Sequence, residues 1–146
     1  MAKLLIVIVI LLVIFLLALP FERKRKRLLN AYWIRSCTGK EWINKFPHCS
    51  KESIREFLTI FVDAFLFDAK KRLKFKPDDR IMDVYYASYP EKGWADALEL
   101  EYFAKSMKTR YGVDLYTVKN NDVTLGEIFE MTRMTCRDTN NRVHSP

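Results

Sequence analysis

The hydrophobic pattern begins with an unbroken apolar run, Leu4 to Leu19, closed by Pro20. Sixteen helical residues rise about 24 Å, short of a hydrocarbon core of about 30 Å. Ala2 and Phe21 lengthen the run, and Lys3 and the following arginines can snorkel. An uncleaved membrane anchor is therefore expected. The competing reading is a cleaved secretory signal, but Ala18-Leu19-Pro20 is a poor cleavage site and Lys3 is the only charge before the run.

Beyond the anchor, polar and apolar positions alternate with helical periods. Leu28, Leu29, Tyr32 and Trp33 have helical spacing, and Trp42, Phe46 and Pro47 follow a break at Thr38-Gly39. Two places are open for these aromatics, the interfacial belt of a membrane or the surface of the following domain. Ser50 is an expected N-cap for a helix whose stripe is Ile54, Leu58, Phe61, Val62, Phe65 and Ala69, with Phe57 and Phe67 marking a second buried side. Lys70-Lys71-Arg72 suits the C-terminal end of that helix. A long connection from about Leu73 to Ala95 follows, with a turn at Pro77-Asp78-Asp79 and with Phe75, Ile81, Val84 and Tyr85 available to fold it back.

The next helix has both ends marked. Asp96 and Glu99 form a D-x-x-E capping box, and Gly112 is a natural left-handed stop. Between them Leu100, Phe103, Met107 and Tyr111 share a face, and Val113 and Leu115 re-enter the core. Tyr116–Val123 is a polar connector with room for a short helical turn. Thr124 and Glu127 are a second capping box, opening a helix with Leu125, Ile128, Phe129 and Thr132. From Cys136 the chain is polar.

Charge changes the picture only near the anchor. The net charge of +7 resides in residues 1–49, which carry nine Lys/Arg against two Asp/Glu; residues 50–146 hold sixteen of each sign. A basic run, Arg23 to Arg27, directly after an apolar span keeps its side of the membrane cytoplasmic. With no basic domain face or recognition motif, nucleic acid is not an expected partner. Cys37, Cys49 and Cys136 show no repeated spacing, and His48 and His144 have no ligand-like partners, so neither a disulfide framework nor a metal site is expected.

The stretch Trp94–Leu115 resembles the second helix of acyl carrier proteins. Asp96-Ala97-Leu98 stands in register with that family's D-S-L motif, Tyr111 with its helix-ending aromatic, and Val113 and Leu115 with the aliphatic return. Asp78-Asp79-Arg80-Ile81-Met82-Asp83 looks like the acidic turn of its first long loop, and Thr124 before Leu125 like the start of its last helix. The likeness covers about residues 50–134 and is closest to a bacterial branch lacking the attachment serine. It implies an all-α, four-helix bundle, which together with the transmembrane helix expected from the apolar run divides the chain into segments 1–22 (anchor), 23–49 (basic and aromatic juxtamembrane), 50–134 (carrier-like domain) and 135–146 (polar tail). Partner enzymes of carriers read acidic side chains on this helix, so Asp96, Leu98, Glu99 and Glu101 are the expected partner-binding residues.

Ala97 stands where a phosphopantetheine serine belongs, and a methyl group cannot form the phosphodiester. No cofactor is therefore expected. Ser88 and Ser106 lack the D-S-L context, and no catalytic constellation is present: Asp96 and Glu99 are explained by capping rather than acid–base work. The expectation is a non-enzymatic binding module, single-pass in a bacterial inner membrane with its domain cytoplasmic and an unidentified protein partner there. The alternative is a divergent carrier holding an acyl or pantetheine group non-covalently or at another serine.

Overall fold

The computed structural model describes residues 2–90, 97–117 and 122–133. Among these the protein is all-helical; its one β feature is an isolated antiparallel bridge between Arg80 and Thr124. In chain order it comprises α1 (Ala2–Trp33), α2 (Gly39–Lys45), α3 (Lys51–Ala64), a 3-10 segment (Ala69–Lys74), α4 (Ile81–Ser88), α5 (Leu98–Tyr111), a 3-10 turn (Leu115–Thr117) and α6, residues 125–133.

Helix α1 is 32 residues long, about 48 Å. It is long and apolar enough to cross a membrane, and Leu4 through Leu16 are exposed. Pro20 was expected to close the run, yet it lies inside the helix. Proline there removes one backbone donor. The turns beyond it are held because they pack: Leu29 is buried, and Tyr32 and Trp33 lie against the core.

Within residues 23–49, Leu29, Thr38, Trp42 and Phe46 are buried. Trp42 is fully buried, its Nε1 donates to the Phe75 carbonyl at 2.9 Å, and its ring meets Phe129 edge-on at 5.7 Å. Thr38 is buried too; its N–H donates to the Leu73 carbonyl at 2.9 Å and its hydroxyl reaches the Phe75 carbonyl at 2.7 Å. Arg35 pairs with Asp79 at 2.6 Å and lies 4.5 Å from the centre of the Tyr32 ring. Burial, then the Asp79 charge, push the Tyr32 phenol up to about 12. Of the two places open for these aromatics, the structure puts Tyr32, Trp33, Trp42 and Phe46 against the domain.

Ser50 caps α3, its hydroxyl accepting the Ser53 N–H at 3.0 Å. Ile54, Leu58, Phe61, Val62 and Phe65 are buried as expected, and Phe57 is fully buried on the second side. Ala69, however, is exposed, because α3 stops at Ala64. There the Leu66 N–H bonds the Asp63 carbonyl and the Phe67 N–H bonds the Val62 carbonyl, the double bond of a Schellman stop with leucine in the left-handed position (φ 54°). The reversal seats Phe67 against Trp33, 5.2 Å between centroids, and against Phe75 at 5.7 Å. Asp68 then caps the 3-10 segment through the Lys70 N–H at 2.8 Å. The Lys70–Arg72 run therefore lies on that segment rather than at the end of α3, with Lys71 over the Trp33 ring at 4.4 Å.

The expected long connection contains a whole helix, α4, which buries Ile81, Val84, Tyr85, Ala87 and Ser88. The turn at Pro77–Asp79 docks on the start of α6: the Leu125 N–H bonds the Asp79 carbonyl at 2.9 Å and the Gly126 N–H bonds the Pro77 carbonyl at 2.7 Å. A methyl group at Gly126 would lie 2.9 Å from that carbonyl oxygen, so the close approach requires glycine. The Thr124–Glu127 box is formed, with Glu127 accepting the Thr124 N–H at 2.7 Å and the Thr124 hydroxyl accepting the Glu127 N–H at 3.2 Å. These helices enclose one core centred on Phe57, Phe61, Phe75, Phe103, Met107, Leu125 and Ile128.

Candidate functional site

The start of α5, where the sequence points, is built differently from its expected capping box. Asp96 lies outside the described residues, and the N-cap position is Ala97, left-handed at φ 61°, ψ 9°, with no side-chain cap. Partners from α4 replace the missing cap. The Ala97 N–H donates to the Tyr85 hydroxyl at 3.1 Å, and the Tyr89 hydroxyl donates to Glu99 Oε1. Tyr85 and Tyr89 are one helical turn apart and their rings pack together, centroids 5.4 Å apart. Glu99 thus turns toward α4; its other oxygen, Oε2, is buried without a hydrogen-bond partner among the described residues.

The remaining expected contact residues face outward. Leu98 is 59% exposed, and Glu101 and the neighbouring Tyr102 are exposed as well. Phe103 and Met107 are fully buried, and Leu100 and Tyr111 pack on the core's edge. Gly112 ends the helix in the left-handed conformation (φ 70°), its N–H bonding the Lys108 carbonyl at 3.0 Å. Val113 is buried after it. Lys108 pairs with Asp114 at 2.7 Å, which raises the ammonium's pKa and lowers the carboxyl's. Arg110 reaches Glu56 of α3 at 2.8 Å.

Beside Ala97 opens a cleft of about 400 Å³ between α4, α5 and the 3-10 turn. Its walls are mostly apolar, Ile81, Met82, Leu100, Phe103, Leu115 and Ile128, with Glu101 at the rim. An aliphatic group fits this lining; an ion does not.

The serines weighed from sequence carry no visible activation. Ser88 is buried and donates to the Val84 carbonyl at 3.0 Å, and Ser106 is half-buried on α5. Cys37 is exposed and Cys49 half-buried, while Cys136 and His144 lie outside the described residues. Among the described residues no group of His, Cys, Asp or Glu is arranged to hold a metal ion.

Sequence reasoning named Tyr85 only as a residue that could fold the connection back and gave Tyr89 no role. Their i, i+4 spacing was legible, but they lay in a stretch read as a connection. The left-handed Ala97 had no signal, since alanine rarely adopts that conformation. No family model, characterised protein or solved structure matches the chain.

Proposed function

We propose that this protein is a membrane-anchored binding module of acyl-carrier-like build that carries no prosthetic group. The observation that carries the reading is Ala97: at the helix start where a carrier needs a hydroxyl, the chain presents a methyl group on a backbone pinned by Tyr85. What remains is a rigid helix start with Glu101 and Tyr102 exposed, a surface suited to a protein partner. The continuous α1 supports an uncleaved anchor, because residues 29–33 of the same helix are fastened to the core. The basic run Arg23–Arg27 supports a cytoplasmic domain under the positive-inside rule, which in a bacterial cell means the inner membrane.

Two measurements on the full chain test this. A C-terminal topology reporter should be active on the cytoplasmic side alone. Intact mass after co-expression with a phosphopantetheinyl transferase should equal that of the unmodified chain. A periplasmic reporter removes the topology, and a pantetheine-sized mass increase removes the binding-module reading.

A second reading is favoured by the cleft beside Ala97. Its volume and apolar lining suit an acyl chain held without a covalent bond. Native mass spectrometry from mild detergent should then release a fatty acid or acyl thioester, and Leu100→Trp, which narrows the cleft, should abolish the adduct.

A further inference from the structure

At the end of the domain that faces the anchor, two large apolar side chains, Leu66 and Leu98, stand exposed among the charged Asp63, Glu101 and Lys105. We infer that the rim formed by Leu66 and Leu98 is a lipid-contact surface that beds into the headgroup region of the leaflet from which α1 emerges, with the Arg23–Arg27 run binding its anionic phospholipids. This rests on the reading of α1 as a membrane anchor.

Three placements carry it. Because α1 runs unbroken from the span into the core, it fixes the height of the domain above the bilayer. Lys24 lies five residues past Leu19, about 7.5 Å along the axis, and its Nζ donates to the carbonyl of Pro90, at the C-terminal end of α4, at 3.3 Å. The same end of α4 holds the start of α5 through Tyr85 and Tyr89. Leu66, at the end of α3, shares one groove with Glu22 and Arg25 of α1 and another with Leu98 and Tyr102 of α5. The C-terminal ends of α3 and α4 and the N-terminal end of α5 thus meet on the anchor's side of the domain.

The headgroup layer is about 5–7 Å deep on each side of the hydrocarbon, so side chains at this end lie within reach of it. Leu66 is 86% exposed and Leu98 59% exposed. Leu66 has a left-handed backbone that would be more comfortable with glycine, and it lines a groove with Glu22, Arg25 and Lys26 of α1. Arg23, Lys24, Lys26 and Arg27 are exposed at the same level. Apolar side chains beside a basic collar are the chemistry of an interfacial anchor on anionic lipid.

Photocrosslinking of the full chain in phosphatidylcholine–phosphatidylglycerol nanodiscs tests the inference. The probe p-benzoyl-phenylalanine replaces, one at a time, Ile10 in the span, Leu66 and Leu98 on the rim, and Glu56 toward the other end of α3. Phospholipid adducts, read by intact mass, are expected at positions 10, 66 and 98, with several-fold less at 56. The rim adducts should fall several-fold in phosphatidylcholine alone while that at position 10 persists. Lipid adducts at position 10 but none at 66 and 98 overturn the rim and leave the anchor standing. No adduct at position 10 removes the anchor reading itself. Protein adducts at 66 and 98 in place of lipid would assign the rim to a second copy or a protein partner, and rim labelling indifferent to phosphatidylglycerol would remove the role of the basic run.

Discussion

The Tyr85 hydroxyl accepts the Ala97 N–H at 3.1 Å, so the start of α5 is tied to α4. Tyr85→Phe keeps the ring among its neighbours and deletes the acceptor. A loss of about 1–2 kcal/mol in chemical denaturation is expected, the cost of an unpaired, partly buried donor. Amide exchange at Ala97–Leu100 should speed up more than exchange in α3. Uniform acceleration across the domain would mean the bond merely shares in global stability.

Leu66 and Ala97 are the two described non-glycine residues at positive φ. Each costs on the order of 1 kcal/mol relative to glycine in the same backbone. Leu66 is so exposed that removing its side chain forfeits little burial. Leu66→Gly should therefore raise the melting temperature by a few degrees in detergent, against the usual direction of a leucine truncation. An unchanged or lowered melting point would show that the side chain contributes packing that offsets its strain.

How far the sequence foretold this molecule depends on whether a local device or a distant partner fixes each element. Ser50, Gly112 and the Thr124–Glu127 box were legible because each satisfies backbone groups within a few residues. The stop of α3 was not, because no glycine marks it; Phe67 and its contacts with Trp33 and Phe75 impose it from outside. Helix α4 has helical spacing in Ile81, Val84, Tyr85 and Ser88, yet eight residues behind a Pro-Asp-Asp turn read equally well as a loop. At the candidate site, the missing hydroxyl of Ala97 and the outward Leu98 and Glu101 were visible. The inward Glu99 was not, since its partner Tyr89 is ten residues away across the segment 91–96, which lies outside the described residues.

The box at the start of α6 makes stability depend on acid in a defined direction. The Thr124 N–H, and then its hydroxyl, hold the Glu127 carboxyl below its ordinary value of 4.5. A carboxyl lowered in the folded state contributes stability above its unfolded pKa and loses that contribution as pH falls through the folded one. Glu127→Gln should therefore reduce stability at pH 7, and the difference from the wild type should vanish as pH falls through the lowered folded-state value. Asp114 titrates in the same sense through Lys108, so the difference between the two curves isolates Glu127. Thr124→Ala should cost about 1 kcal/mol through the same cap.

A chain beginning at Ser50 would keep every helix from α3 onward but lack Leu29, Trp42 and Phe46, all buried. Burial of each such side chain is worth about 1.5–3 kcal/mol, of the same order as a small domain's whole stability when summed. That chain should expose apolar surface and bind a hydrophobic dye, whereas one beginning at Phe21 should unfold cooperatively. Trp42→Ala in the full chain should cost about 3–5 kcal/mol. A cooperative Ser50 chain would mean that α1 and α2 decorate a core able to close without them.

Ala97→Ser restores the D-S-L pattern at residues 96–98 without a new backbone demand, because alanine already bears the left-handed strain there. Ala97 is half-buried beside the apolar cleft, so the added hydroxyl lies where a pantetheine arm could start with an acyl chain entering between α4 and α5. Stability should change by less than about 1 kcal/mol, since the N–H bond to Tyr85 does not involve the side chain. Incubation of both proteins with coenzyme A and a phosphopantetheinyl transferase, followed by intact mass, should leave the wild type unmodified and load the variant. Loading of the variant alone would connect this chain to a working carrier. Loading of the wild type, at Ser88, Ser106 or elsewhere, would falsify the reading that it carries no prosthetic group. If neither is loaded, α5 has lost transferase docking as well as the hydroxyl; Lys105, Lys108 and Arg110, all exposed on α5, are then the residues to exchange for acidic ones.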